Sequence, residues 1–223
     1  MVRGMAQRKT LLIVDDDEDL RGAVAEQLEL HEEFTALQAA TAEAGVEKAV
    51  EARPDLVLLD VDLPDMNGME VLRQIRLSRV DTPILILTGS DHTEVKLRGF
   101  GFGADDYMTK PFSVRELVAR VGVLLRRPRG ASTQVAATLR LGDLTVDTHA
   151  REVRLADSQI QLTRTEFDLL ATFLGQPRRA FDRRALIEAV WGVDWVGDEH
   201  LVDTHIAHLR RKLGDDASNP RFI

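Results

Sequence analysis

The sequence predicts an α/β protein: a doubly wound, five-stranded parallel sheet followed by a smaller α+β domain of short strands and three helices. Three observations carry this expectation. Short, continuously apolar runs alternate with amphipathic helical stretches up to about residue 127, and strands separated by helices of that length run parallel, with helices on both faces. A break rich in basic, Pro, Gly and small polar residues at 126–137 then gives way to short β-prone pieces divided by turn residues. The charge changes at the same place. Residues 1–125 hold 23 acidic against 14 basic side chains, and residues 126–223 hold 14 against 15. The expected organisation is a first domain over 1–125, a linker over 126–137 and a second domain over 138–223.

The strands expected in the first domain are LLIV at 11–14, FTAL at 34–37, LVLL at 56–59, ILIL at 84–87 and YMTK at 107–110. LVLL and ILIL lack polar alternation, which suits the buried centre of a parallel sheet. Helices are expected at 18–30, 42–52, 68–77, 91–100 and 113–126, the last with Phe112, Leu117, Val121 and Leu124 on one face. In the second domain LRLGDLTVD at 139–147, REVRLA at 151–156 and QIQLT at 159–163 indicate a small antiparallel sheet. Three helices follow: TRTEFDLLATFLG from a Thr cap, DRRALIEAVWG from an Asp cap to a Gly stop, and HLVDTHIAHLRRKLG ending at Gly214.

Composition narrows the chemistry. With 44% apolar and 30% charged residues the 223-residue chain has material for packed cores. The absence of cysteine excludes a disulfide framework, a thiolate metal site and a Cys nucleophile. The opening MVRGMAQRKT lacks the apolar stretch of a secretory signal, and no run approaches the ~20 residues that span a bilayer. A soluble, cytoplasmic protein without a membrane partner is expected. The net charge of −8 argues against a nucleic-acid partner only until its uneven distribution is seen.

In an open parallel sheet, ligands sit beyond the carboxyl ends of the strands. The residues expected there are Asp15, Asp16 and Asp17, then Asp60, Thr88 and Lys110. Converging carboxylates repel one another unless a cation shares them, and Mg²⁺, a hard ion that prefers oxygen, meets that need. Lys110 offers a mobile point charge and Thr88 a hydroxyl, both suited to a phosphoryl group. Asp60 is then the natural acceptor, since carboxylates serve as nucleophiles toward phosphoryl donors. Taken singly, an Asp at a strand end is as readily a helix cap or turn former; the coincidence at successive strand ends is what points to chemistry.

In the final helix His205, His208, Arg211 and Lys212 are spaced to share a polar face. Leu201, Ile206, Leu209 and Leu213 form an apolar stripe opposite. A basic helix face anchored from behind fits the major groove, although a solvated charged face is the commoner cause of such a pattern. A zinc site at His200, His205 and His208 lacks cysteine partners and acidic support.

The segments VDDDED, LVLLDVDLPDMNG, LTGS and GADDYMTKPF resemble, in order and over residues 9–127, the flavodoxin/CheY-like receiver domain of two-component response regulators. This resemblance implies phosphorylation of Asp60 by a sensor histidine kinase. It implies Mg²⁺ held by Asp15, Asp16, Asp60 and Asp62, with Asp62 contributing its backbone carbonyl. Lys110 and Thr88 would bind phosphate, and Thr88 and Tyr107 would move as the switch. A cis Lys110–Pro111 peptide is also implied. LGDLTVD, LTRTEFDLLATFL, RRALIEAVWG and VDTHIAHLRRKLGDD are similar to the winged-helix output domain of OmpR/PhoB-type regulators.

That second likeness implies a recognition helix at 199–213 on double-stranded DNA, with His205, His208, Arg210 and Arg211 touching DNA, and a loop at 192–198 that meets RNA polymerase. Ala207 stands where the family often has Arg. The family's β-hairpin wing is expected to be truncated or missing, because the sequence stops at Ile223. The resemblance further implies a homodimer on phosphorylation, through ion pairs among Lys96, Glu116, Asp105, Arg120, Asp106 and Arg127. The expected protein is a phosphorylation-dependent transcriptional regulator and not an enzyme. Two rivals stand beside it: a receiver whose output domain binds protein instead of DNA, and a haloacid-dehalogenase-type phosphatase using the Asp-x-Asp of residues 60–62.

Overall fold

Apolar runs without polar alternation become the central strands: β1 (Lys9–Val14), β3 (Leu56–Asp60) and β4 (Ile84–Thr88). Every residue of β3 and β4 is buried. With β2 (Phe34–Ala39) and β5 (Asp106–Thr109) at the edges, the order is β2-β1-β3-β4-β5 and each pairing is parallel. The order reverses between β1 and β3, so the crevice characteristic of such sheets opens at their carboxyl ends. The computed structural model describes residues 8–31, 33–78, 81–89, 102–125, 138–195 and 197–223. The chain divides into two compact units, Met1–Leu125 and Arg126–Ile223. The helix expected at 91–100, the linker, Lys96 and Arg127 lie outside the described residues.

Each described helix of the first unit starts where a short polar side chain satisfies its free amide groups. Asp17 caps α1 (Glu18–Glu29), Thr41 caps α2 (Ala42–Ala52) and Asn67 caps α3 (Gly68–Leu77). In α4 (Val114–Leu125) the Glu116 amide donates to Ser113 Oγ at 3.1 Å. Helix α1 packs with α4, and α2 with α3.

At the opposite rim of this sheet Arg76, near the end of α3, gathers three segments. Its guanidinium donates to the carbonyls of Gly103 and Thr82 and to Asp105 Oδ2 at 2.9 Å. Asp105 also accepts from the Ile84 amide at the start of β4. Only 1% of Asp105 is exposed. This corrects the expectation that Asp105 offers its charge to a partner subunit: the carboxylate is turned inward because Arg76 and a strand amide are its partners. No spacing rule links residues 76 and 105, so only the fold brings them together.

The second unit carries a four-stranded antiparallel sheet, β6 (Thr138–Leu141), β7 (Leu144–Asp147), β8 (Glu152–Leu155) and β9 (Ser158–Ile160). The run expected as one piece over 139–147 is a hairpin. Gly142, at φ +60°, takes the left-handed conformation that reverses the chain between β6 and β7. Three helices follow: α5 (Arg164–Gly175), α6 (Arg183–Val190) and α7 (Leu201–Leu213). Thr163 and Glu166 form a reciprocal capping box at α5. Buried Glu166 also receives Lys212 from α7 at 2.6 Å, fastening the last helix to the first.

Replacing Arg76 by Ala removes the cationic partner of a buried carboxylate, a change that costs about 3–5 kcal/mol when such a pair is broken from one side. Both tryptophans lie in the second unit, so amide hydrogen exchange of β3 and β4 is the appropriate probe. Exchange protection reduced by that amount is expected, and protection unchanged within 1 kcal/mol would show the Arg76–Asp105 pair to be dispensable.

Candidate functional site

The crevice at the ends of β1 and β3 collects the charged residues that the strand pattern places there. Asp15 follows β1, Asp60 ends β3, Thr88 ends β4 and Lys110 follows β5. Asp15, Asp60 and Thr88 are all at least 97% buried, while Asp16 is exposed. The Lys110 ammonium donates to Asp15 Oδ2 at 2.8 Å and lies 3.1 Å from Asp60 Oδ2. One oxygen from each of Asp15, Asp16 and Asp60 falls within 4.8 Å of the others. The Lys110–Pro111 peptide is cis, in keeping with the resemblance.

Backbone groups fix the remaining oxygens. Asp60 Oδ1 accepts from the Val61 amide at 2.9 Å, and Asp15 Oδ1 from the Asp17 amide at 3.0 Å. The Val61 amide also donates to the Leu87 carbonyl, and the Lys110 amide to the Thr88 carbonyl, which align the ends of β3, β4 and β5. Burial pushes the Asp60 carboxyl above its ordinary range, with Lys110 opposing the shift and the Asp15 charge adding to it. Burial alone would lower Lys110; hydrogen bonding and charge from Asp15 and Asp60 outweigh it and hold the ammonium above the usual lysine range.

Three residues outside the expected set shape this site. Arg21 on α1 donates to the Asp15 main-chain carbonyl at 2.7 Å. Asp65, in the loop after β3, accepts from the Ala42 and Glu43 amides at the start of α2. Those bonds hold its carboxyl below the ordinary range. Gly68 sits so close to the site strand that an added Cβ would lie 2.2 Å from the Asp60 carbonyl oxygen and 2.8 Å from Val61 Cα. Only a residue without Cβ lets α3 start there. The Asn-Gly pair after an acidic loop was the available signal for Gly68; Arg21 and Asp65 act through contacts that sequence spacing does not encode.

Not every expected side chain reaches its expected place. The Asp62 carboxylate is exposed beside Gly89, which does not bear on the backbone-carbonyl role the resemblance implies for this residue. Asp106 and Glu116 pair with Arg120 inside the chain, at 3.0 Å each. In the second unit His205 is 1% exposed and packs its ring 5.7 Å from that of Trp191. This corrects its expected role as a DNA contact, because the residue faces the helix core and not the groove-reading side. Arg210 leans toward the chain end and donates to the Ile223 carbonyl at 3.1 Å. His208 is half-buried and Arg211 exposed.

Oxygen-only donors from three acidic residues, two of them buried, match the preference of Mg²⁺ for hard ligands. An adjacent ammonium adds the second positive charge that a phosphoryl group requires. The arrangement is thus suited to accepting a phosphoryl group on Asp60.

Comparison with known proteins follows the same division. The response regulator receiver domain model matches residues 11–122, and the model of the C-terminal domain of transcriptional regulatory proteins matches residues 157–223. The transcriptional regulatory protein TrcR of Mycobacterium tuberculosis is 41% identical over 207 residues, spanning 92% of this chain and 80% of TrcR. The alkaline phosphatase synthesis transcriptional regulatory protein PhoP of Bacillus subtilis is 39% identical, spanning 96% and 92%. Among solved structures, the OmpR/PhoB homologue DrrB of Thermotoga maritima is similar with a TM-score of 0.53 and 31% identity over 96% of this chain and 94% of DrrB.

Because burial disfavours the Asp60 carboxylate, neutralising it is expected to stabilise the first unit. With divalent ions chelated, Asp60→Asn should resist urea better than the parent at pH 7–8. The folded carboxyl titrates above its unfolded value, so the stability it withholds at neutral pH returns as pH falls through the raised pKa. The advantage of the variant should therefore shrink on acidification and on adding Mg²⁺. A variant less stable than the parent at neutral pH contradicts this reading.

Proposed function

The chain belongs to the OmpR/PhoB-type response regulators, joining a receiver to a DNA-binding domain, and from that premise we propose that it is switched by transfer of a phosphoryl group from a sensor histidine kinase to Asp60. The observation that carries the reading is the convergence of Asp15, Asp16, Asp60 and Lys110 at one sheet rim. In the transfer a P–N bond to the kinase imidazole breaks and a P–O bond to an Asp60 carboxylate oxygen forms. Asp15, Asp16, Asp60 and the Asp62 backbone carbonyl would hold Mg²⁺, which supplies neutralisation of the charge on the transferring group. Lys110, already 3.1 Å from Asp60 Oδ2, passes from that oxygen to a phosphoryl oxygen. The Thr88 hydroxyl at the end of β4 donates to another, and Tyr107 follows Thr88 inward.

Phosphorylation then favours a homodimer through the surface of β5 and α4. Glu116 is its accessible acid, and the Arg120–Asp106 and Arg120–Glu116 pairs now closed within the chain are those that exchange across the two-fold. Lys96 and Arg127 complete the set. Pairing raises the effective concentration of two output domains at repeated half-sites on double-stranded DNA. The domain limits of this reading are 1–125, a linker at 126–137 and 138–223, with α7 as recognition helix presenting His208 and Arg211, and the preceding loop available to RNA polymerase. The relatives are transcriptional regulators, which favours a regulator over an enzyme. No described helix is long and apolar enough to cross a membrane, and a cytoplasmic site of action fits the kinase partner.

Incubation with a small phosphodonor and Mg²⁺ should label the parent with one phosphoryl group per chain and leave Asp60→Asn unlabelled. Labelling that survives in Asp60→Asn removes Asp60 from its role. Repeated turnover of a phosphomonoester would instead favour a phosphatase.

A further inference from the structure

The exposed side of α7 carries less positive charge than its sequence suggests. His205 is buried, Arg210 is bonded to the Ile223 carbonyl and Lys212 is held by Glu166. Thr204, Ala207, His208 and Arg211 remain toward solvent, and Arg211 is the one permanent cation among these four. Protein–DNA affinity depends chiefly on the number of phosphates neutralised. A recognition helix so poorly charged leaves that work to its neighbours.

The segment QPRRAFDRR, residues 176–184, holds four arginines against one aspartate, and all four are exposed. Arg183 is taken by Asp203 in the first turn of α7, at 2.9 and 3.0 Å. Among the described residues Arg178 and Arg179 have no acidic partner. Arg184 has Glu188 one turn along α6, with 80% of its side chain in solvent. Arg179 is preset: its guanidinium stacks over the Phe181 ring at 4.8 Å and donates to Gln176 Oε1. It also lines, together with Ala207 and Arg210 of α7, one groove of about 730 Å³, so the segment borders the recognition helix. In contrast, residues 192–200, between α6 and α7, hold Asp194, Asp198 and Glu199 and no Lys or Arg.

We propose that Arg178, Arg179 and Arg184 form a contact line for the phosphate backbone of duplex DNA beside α7, supplying the charge that the recognition helix lacks. These arginines set affinity and its salt dependence, and base discrimination stays with α7. The proposal rests on the reading of the second unit as DNA-binding and adds which surface meets the backbone.

The test uses the full chain and a random-sequence duplex of about two helical turns, with binding followed by fluorescence anisotropy between 50 and 200 mM salt. Each arginine that meets a phosphate should contribute about 0.9 to the slope of log affinity against log salt. The Arg178→Gln, Arg179→Gln, Arg184→Gln triple variant should therefore lose about 2.7 from the slope of the parent. Arg140→Gln with Arg154→Gln, on the β6–β8 sheet, should leave it unchanged. All three target side chains are exposed, so circular dichroism should match the parent. A triple variant that folds and keeps the parental slope overturns the proposal while leaving DNA binding intact. A parent that binds no duplex at low salt overturns both.

Discussion

Three carboxylates drawn within 4.8 Å of one another, with the Lys110 ammonium beside them, are the constraint on which the first unit depends. At an effective dielectric near 20, two unit charges at that distance repel by roughly 3 kcal/mol, less for Asp16, which water screens. A fold gains nothing by assembling such a cluster for its own stability. The sheet must therefore be stable enough elsewhere to hold it, and the continuously buried β3 and β4 are where that stability resides. Lys110 offsets part of the repulsion, and a divalent cation held there would offset the rest and make the cluster a site for an anionic group.

Precision in this site comes from anchors outside the reacting side chains. Asp65 pins the loop after Asp60 to the start of α2, Arg21 pins the carbonyl of Asp15, and Gly68 brings α3 against the Asp60 backbone. Each acts on main chain, so the carboxylates are oriented by a framework that phosphorylation need not disturb. The second unit follows a similar economy: Lys212 and His205 fix α7 from behind, which leaves few cations on its outer side.

Much of this was legible in the sequence because periodicity and strand-end position are local properties. LVLL and ILIL announce buried parallel strands, and the aspartates directly after the apolar runs fall at the sheet rim wherever such a sheet forms. What could not be read depends on contacts distant in sequence. Arg76 and Asp105 meet only because α3 ends beside the start of β5, and His205 looks like a polar-face residue until the aromatic wall of Trp191 is in place. The Gly142 reversal is hidden for a different reason: the flanking LRL and LTV both have strand character, so a single glycine between them does not mark a break.

Diffraction from crystals grown with Mn²⁺, whose anomalous signal marks a divalent site, tests the central claim most directly. An anomalous peak about 2 Å from carboxylate oxygens of Asp16 and Asp60 and from the Asp62 carbonyl, with the Lys110 ammonium still facing Asp60, is the predicted result. A divalent ion bound elsewhere in the first unit, or Lys110 turned away with the aspartates dispersed, would contradict the account.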